Sequence, residues 1–163
     1  MSNDPFHKLL AAVEGALKRF RETGGERLRA AADLILGAEG KVVVTGLGKS
    51  GIIGHKVAAT LASTGTPAVF LNAAEALHGD MGVVCSGDVV VMISNSGETE
   101  ELLRMLPSLR SIGVSTIGIF GGARSSLASH VDVVVPVPIE EEGDALNLAP
   151  MCSSTVSLVA GDA

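Results

Sequence analysis

The sequence has no tryptophan and no tyrosine, and its 2% of aromatic residues is four phenylalanines. A core must then be filled by Val, Ile, Leu and Ala, within an apolar share of 47%. That composition suits parallel strands covered by helices on both faces. Basic residues are also scarce: twelve Lys and Arg stand against eighteen Asp and Glu, for a net charge of −6. No basic stripe is present, which argues against a nucleic-acid partner. The only cysteines, Cys85 and Cys152, fit no C-x-x-C or metal-ligand spacing and read as small buried apolar residues in a reducing compartment. No apolar run is long enough to span a bilayer, and the opening MSNDPFHKLL lacks a signal-peptide layout. The expectation is a cytoplasmic protein without metal, cofactor, nucleic-acid partner or membrane partner. A length of 163 residues suits one domain.

What is present centres on Lys41 to Gly54, KVVVTGLGKSGIIG. A β-branched run ends in glycines, and an apolar, small-residue helix pattern follows: strand, tight turn, helix. Gly46, Gly48 and Gly51 have the spacing G-x-G-x-x-G. Such a turn brings backbone N–H groups at a helix start close to an anion, most often phosphate. A dinucleotide fold would close its second strand on an acidic residue; here Pro67 to Leu71 closes on Asn72. A P-loop would need glycine where Val43 stands. A phosphate or sugar-phosphate loop carrying Lys49 and Ser50 is left, beside the plainer reading that a lone glycine-rich turn binds nothing.

Around this stretch the chain alternates. Asp4-Pro5 starts a helix, with Phe6, Leu9, Leu10, Val13, Leu17 and Phe20 on one face. A second helix spans Glu26 to Leu36. Strands are expected at Val42–Thr45, Ala68–Leu71, Val89–Ser94, Thr116–Phe120 and Val131–Val137. Helical patterns lie at Lys49–Ser63, Glu98–Ser111 and, shorter, near Ser125–Ser129. Alternation of this kind implies right-handed crossovers and an α/β fold with a five-stranded parallel sheet, order 2-1-3-4-5, flanked by helices. The whole chain, 1–163, reads as one domain, with N-terminal helices in 1–39 and the doubly wound core in 40–163. The apolar faces of the first two helices need partners, which points to a homo-oligomer, dimer or tetramer.

Ligands of such sheets bind beyond the carboxyl ends of the strands. Strand three ends in Ser94-Asn95-Ser96-Gly97-Glu98-Thr99, where hydroxyls and a glycine at a helix start can wrap a phosphate without arginine. N-capping by Ser96 would use one hydroxyl; the turn supplies three. After strand two comes His78, in Ala76-Leu77-His78-Gly79-Asp80. A lone histidine is more often structural, but this one stands at the ligand edge. Glu101 lies one turn into the helix after the serine loop, as a helix-dipole acid or facing the pocket. In the acidic run after strand five, Glu140 and Glu141 read as a solvated loop, while Glu142 precedes Leu148-Ala149-Pro150 and a Ser/Thr-rich helix start.

The runs GLGKSG, ASTGTPAVFL, EALHGD, ISNSGETEE and LNLAP resemble the sugar isomerase (SIS) domain, and within it the bacterial D-arabinose 5-phosphate isomerases. The resemblance covers roughly Gly40 to Ala163. It implies a flavodoxin-like SIS fold and interconversion of D-ribulose 5-phosphate and D-arabinose 5-phosphate, the start of Kdo synthesis for lipopolysaccharide. It implies that Ser50, Ser94, Ser96 and Thr99 hold the sugar phosphate, with Gly48, Asn95 and Gly97 beside them. It also implies that Lys49, His78, Glu101 and Glu142 form the catalytic group, in tetramers whose sites are shared between subunits. Glu142 is the leading base for the C1/C2 proton; His78 and Glu101 would serve ring opening and proton transfer at oxygen; Lys49 would stand near the enediolate. Two departures stand out. The family's second histidine, in a Ser-His-Pro-Gly-Gly run, is not in this sequence, and Gly143-Asp144-Ala145 stands where Ala-Cys-Pro is usual. The rival readings are a non-catalytic SIS sugar-phosphate sensor and another SIS phosphosugar isomerase, such as a phosphoheptose or hexulose-phosphate isomerase.

Overall fold

The computed structural model describes residues 4–163. Pro5 opens α1 (Pro5–Thr23), which is followed by α2 (Gly25–Leu36). The core then runs β1 (Val42–Gly46), α3 (Gly48–Ser63), β2 (Ala68–Asn72), α4 (Ala73–Ala76), a 3-10 turn (Asp80–Val83), β3 (Val89–Ser94), α5 (Glu100–Ile112), β4 (Ser115–Phe120), β5 (Val133–Pro136) and α6 (Cys152–Asp162). The five strands form one sheet in the order β2-β1-β3-β4-β5, and each neighbouring pair is parallel. This is the α/β arrangement expected from the alternation of patterns.

Every residue of β1 and β3 is buried, which is why those strands read as unbroken Val/Ile runs rather than as alternating ones. Val44, Val91, Ile93, Ile117 and Ile119 pack on one face against α1, α2, α3 and α6. Val43, Val90, Met92 and Phe120 pack on the other against α4, α5 and Leu127. Each such side chain removed from water contributes about 1.5–3 kcal/mol. In α1 the buried line is Ala12, Ala16 and Phe20, because alanines let the helix approach α6 closely. Phe6 and Leu10, on the apolar face expected to meet a partner chain, are 63% and 43% exposed in the single chain.

The structure differs from the sequence expectation at a few places. No helix forms near Ser125–Ser129; the segment is a series of turns, with Ser129 N bonded to Ser125 O and Leu127 N donating to Gly97 O at 3.0 Å. The last of these bonds ties the segment to the turn after β3. The helix expected from Glu98 starts at Glu100, with Thr99 in extended backbone at the cap. β5 is shorter than expected, while α4 and the 3-10 turn occupy what read as plain loop.

Candidate functional site

The connection after β1 carries α3 to one face of the sheet, and that after β3 carries α5 to the other. A crevice therefore opens between the carboxyl ends of β1 and β3, the place where open parallel sheets take ligands. On the β1 side, Leu47 caps α3 in extended backbone with no side-chain hydrogen bond. The first N–H groups of α3 are thus left for an anion, with Lys49 exposed and Ser50 half-buried beside them.

On the β3 side the hydroxyls are already ordered by one another. Gly97 N donates to Ser94 Oγ at 3.0 Å, Ser94 Oγ lies 2.8 Å from Thr99 Oγ1, and Glu98 N donates to Ser96 Oγ at 3.1 Å. Since Ser94 Oγ accepts from Gly97, its proton can point to Thr99, which frees the Thr99 proton to point outward. Ser96, accepting from Glu98, keeps its own proton free. Gly97 has φ +69 and a Cβ there would lie 2.0 Å from Ser125 Oγ, so the turn needs glycine. The Glu98 carboxylate faces away from this role: a hydrogen bond from Ser126 holds it below the usual carboxylate range.

The third wall is the segment before α6. Glu142 is 8% exposed, and one residue holds both of its oxygens: Ser153 Oγ donates to Oε1 at 2.6 Å and Ser153 N to Oε2 at 3.0 Å. Glu142 N donates to Asn147 Oδ1 at 2.6 Å, and Asn147 adopts φ 54, a left-handed conformation that asparagine tolerates. Asp144 folds the rest of this loop, its carboxylate accepting from the N–H groups of Leu146, Leu148 and Ala149. Burial pushes the Asp144 carboxyl up, but these donors outweigh it and hold it below its ordinary range.

Glu140 is exposed and Glu141 partly so, in keeping with a solvated loop, and each also has an ion-pair partner on α1. Arg19 Nη1 lies 2.9 Å from Glu140 Oε1, and Lys8 Nζ lies 3.3 Å from Glu141 Oε2 and donates to Asp144 O at 3.2 Å. Gly143 has φ +87, and a Cβ there would meet Leu9 Cα at 3.0 Å, so only glycine lets the loop press on α1 this closely.

Lys49, Ser50 and Asn95 come together with Pro150, Ser153, Ser154 and Ser157 around a cleft. Its enclosed volume is about 30 Å³, on the order of a single water, so anything as large as a pentose phosphate must extend beyond it. Ser94, Ser96, Gly97 and Thr99 adjoin it through the turn around Asn95, and Gly48 precedes Lys49. His78 is exposed in the turn after α4, and Glu101 is half-buried as the second residue of α5. Neither of these lines the cleft, and Glu142 reaches it only by way of Ser153. Ser153 itself was missed from sequence; the hydroxyl-rich start of α6 was the only signal, and it does not say which hydroxyl turns inward.

The SIS domain family matches residues 35–163. The chain belongs to that family. As an SIS domain it is 46% identical over 152 residues to the arabinose 5-phosphate isomerase KdsD of Pseudomonas aeruginosa, covering 93% of this chain and 45% of that protein. It is 44% identical over 156 residues to KdsD of Escherichia coli K12, covering 96% of this chain and 48% of that protein. The chain therefore spans about half the length of the curated relatives it matches. A solved structure of E. coli CFT073 c3406 in complex with A5P superposes with a TM-score of 0.91 at 44% identity, covering 99% of this chain and 88% of that one. The matched region begins at residue 35, so α1 and most of α2 lie outside it although α1 packs on the loop that carries Glu142. Among the described residues, no helix of this SIS domain is long and apolar enough to cross a membrane.

Proposed function

We propose that this SIS domain is an aldose–ketose isomerase domain that interconverts D-arabinose 5-phosphate and D-ribulose 5-phosphate, feeding Kdo and lipopolysaccharide synthesis in the cytoplasm. The observation that carries the reading is the junction at one cleft of a hydroxyl turn, an uncapped helix start with Lys49, and the Glu142–Ser153 pair. It is supported by the likeness to proteins named for that reaction. In this reading the phosphate lies against Ser50, Ser94, Ser96 and Thr99, with Gly48, Asn95 and Gly97 framing it. No arginine is needed, because hydroxyl and N–H donors to an anion are each worth about 1.5–3 kcal/mol.

The reaction removes the proton from C2 of the aldose, passes through an enediolate, and returns a proton to C1. Glu142 serves as the base. Lys49 places its charge near the enediolate oxygens, where it stabilises the transition state more than the ground state. His78 and Glu101 serve ring opening and proton transfer at oxygen, which requires the turn after α4 to reach over the cleft. Neither metal nor cofactor takes part. The assembly is a homo-oligomer, dimer or tetramer, with sites shared between subunits. It would bury the exposed Phe6 and Leu10 of α1 together with Leu146, Leu148 and Met151 of the neighbouring loop.

The test is proton exchange at C1 or C2 of arabinose 5-phosphate in deuterated water, measured on the longest natural form of the protein. Turnover with exchange is expected. Glu142→Gln keeps the shape but cannot accept a proton, so it should lower exchange roughly 10²–10⁴-fold and leave substrate affinity nearly unchanged. Binding of arabinose 5-phosphate without any exchange in the parent would make the domain a sensor, and turnover of a different phosphosugar alone would move it to another isomerase of the family.

A further inference from the structure

We propose that Ser153 is a positioning residue for Glu142, its hydroxyl fixing the plane in which that carboxylate meets the substrate. The inference rests on the reading of Glu142 as the base. Ser153 lines the cleft and Glu142 does not, so Ser153 is the residue that joins the carboxylate to the wall of the ligand space. Both residues are buried, and the two hydrogen bonds take both carboxylate oxygens. A carboxylate gripped at one oxygen still turns about its last side-chain bond. Gripped at both, it presents its remaining lone pairs in one orientation.

Helix capping accounts for only half of this contact. Ser153 N–H, at the second position of α6, is one of the donors that every helix start leaves open, and a carboxylate there also meets the positive end of the helix dipole. The hydroxyl is a different matter. Ser154 and Thr155, the next two on α6, turn their hydroxyls back to Pro150 O and Met151 O, four residues earlier. That is the ordinary local bond of a helical serine or threonine. Ser153 instead sends its hydroxyl out of the helix to a carboxylate eleven residues away. Proton abstraction from carbon demands a near-attack geometry, in which misplacement by about 1 Å can cost on the order of 10²-fold in rate. A two-point grip on the base supplies that constraint.

Ser153→Ala deletes the hydroxyl and keeps the backbone bond. Measured on the longest natural form with arabinose 5-phosphate, it should lower kcat and C–H exchange together by about 10–100-fold, while KM stays within about threefold. Ser153→Thr, which restores a hydroxyl, should recover most of that loss. In a Glu142→Gln background, Ser153→Ala should lower the residual rate no further, because the base it positions is already gone. Inorganic phosphate binding and the melting temperature, read on each variant, confirm that the fold is intact. An unchanged kcat in Ser153→Ala overturns the proposal, and so does a rise in KM alone, which would make Ser153 a substrate-binding group. Failure of Ser153→Thr to improve on Ser153→Ala, or additive losses in the double variant, also overturns it. If Glu142→Gln retains parental exchange, the base assignment fails and takes this proposal with it. If Glu142→Gln loses exchange while Ser153→Ala keeps it, only the positioning role fails.

Discussion

The turn after β3 and the segment before α6 face the same cleft, yet they are anchored differently. In the turn, Ser94, Ser96, Gly97, Glu98 and Thr99 hold one another through partners two to five residues apart. In the segment, Asp144 and Asn147 shape the loop locally, but its place on the molecule depends on distant groups. Ser153 lies 11 residues from Glu142, Arg19 lies 121 from Glu140, and Lys8 lies 136 from Asp144. The hydroxyl bonds of the turn close within it, although Gly97 O and the Glu98 carboxylate also accept from Leu127 N and Ser126 N in the segment after β4. A segment moored at long range can be misplaced by changes far from the cleft, and on the proposed reading an error of about 1 Å matters more to Glu142 as base than to the turn as phosphate cradle.

The largest effect within this comparison should come from the local side. Ser96→Ala with Thr99→Val removes the two hydroxyl protons free to point outward while leaving the Ser94–Gly97 bond of the turn. Each hydrogen bond to a charged group is worth about 1.5–3 kcal/mol, so arabinose 5-phosphate should bind weaker by two orders of magnitude or more. Affinity for unphosphorylated arabinose should hardly change, and calorimetry on both sugars reads the difference. Equal weakening of both would show that the turn is a scaffold rather than the phosphate cradle.

A smaller effect should separate the two sides by pH. The Asp144 carboxyl is held below its ordinary range by the N–H groups it accepts. A depressed folded-state value means that its contribution is fully present above the unfolded value, about 3.9, and is lost as pH falls through the folded one. Protection of the Leu146, Leu148 and Ala149 amides against hydrogen exchange should therefore stay level from pH 7 to about 4 and drop below that. The Gly97 amide is bonded to the neutral Ser94 hydroxyl and should keep its protection factor. Parallel loss at both places would mean that the fold as a whole is loosening, and the contrast between the two anchors would go with it.

The same division decides what the sequence could disclose. The order of strands followed from the alternation of β-branched runs with amphipathic ones, because crossovers are right-handed and sheet edges carry ligands. The hydroxyl bonds of the turn after β3 were legible, since their partners are near neighbours, whereas its bonds to Ser126 and Leu127 were not. The expected helix at Ser125–Ser129 failed because Leu127 N is bonded to Gly97 O, a tertiary contact that overrides a short local pattern. The ion pairs of Glu140 and Glu141 were not legible, because their partners, Arg19 and Lys8, stand more than a hundred residues earlier. Within the chain it is Ala12 and Ala16 of α1, with Phe20, that are buried, the alanines being small enough to meet α6, a choice that the helical period alone does not make. Glu142 could be marked by resemblance, but the grip of Ser153 on it could not, since three adjacent hydroxyls at one helix start look alike in sequence.

The smallest expected effect tests the mooring itself. The pairs Lys8–Glu141 and Arg19–Glu140 are partly or largely exposed, with side chains 42% and 44% accessible in the first and 31% and 77% in the second. Exposed pairs of this kind are worth about 0.2–1 kcal/mol each, so Lys8→Met with Arg19→Met should barely move the melting temperature. If the two pairs hold the segment of Glu142 in register, kcat should nevertheless fall by about two- to fivefold, with affinity for arabinose 5-phosphate kept because the cradle closes on itself. Salt supplies the discriminating arm. At 1 M ionic strength the screening length shrinks to about 3 Å, so the parent should lose its advantage and the two kcat values should converge. A deficit that persists at high salt would shift the mooring from charge to packing, to the close approach of Gly143 and Leu9 and the Cys152 Sγ bond to Ala12 O. No deficit at either salt concentration would show that α1 covers the segment without steering it, and the long-range anchor would reduce to Ser153 alone.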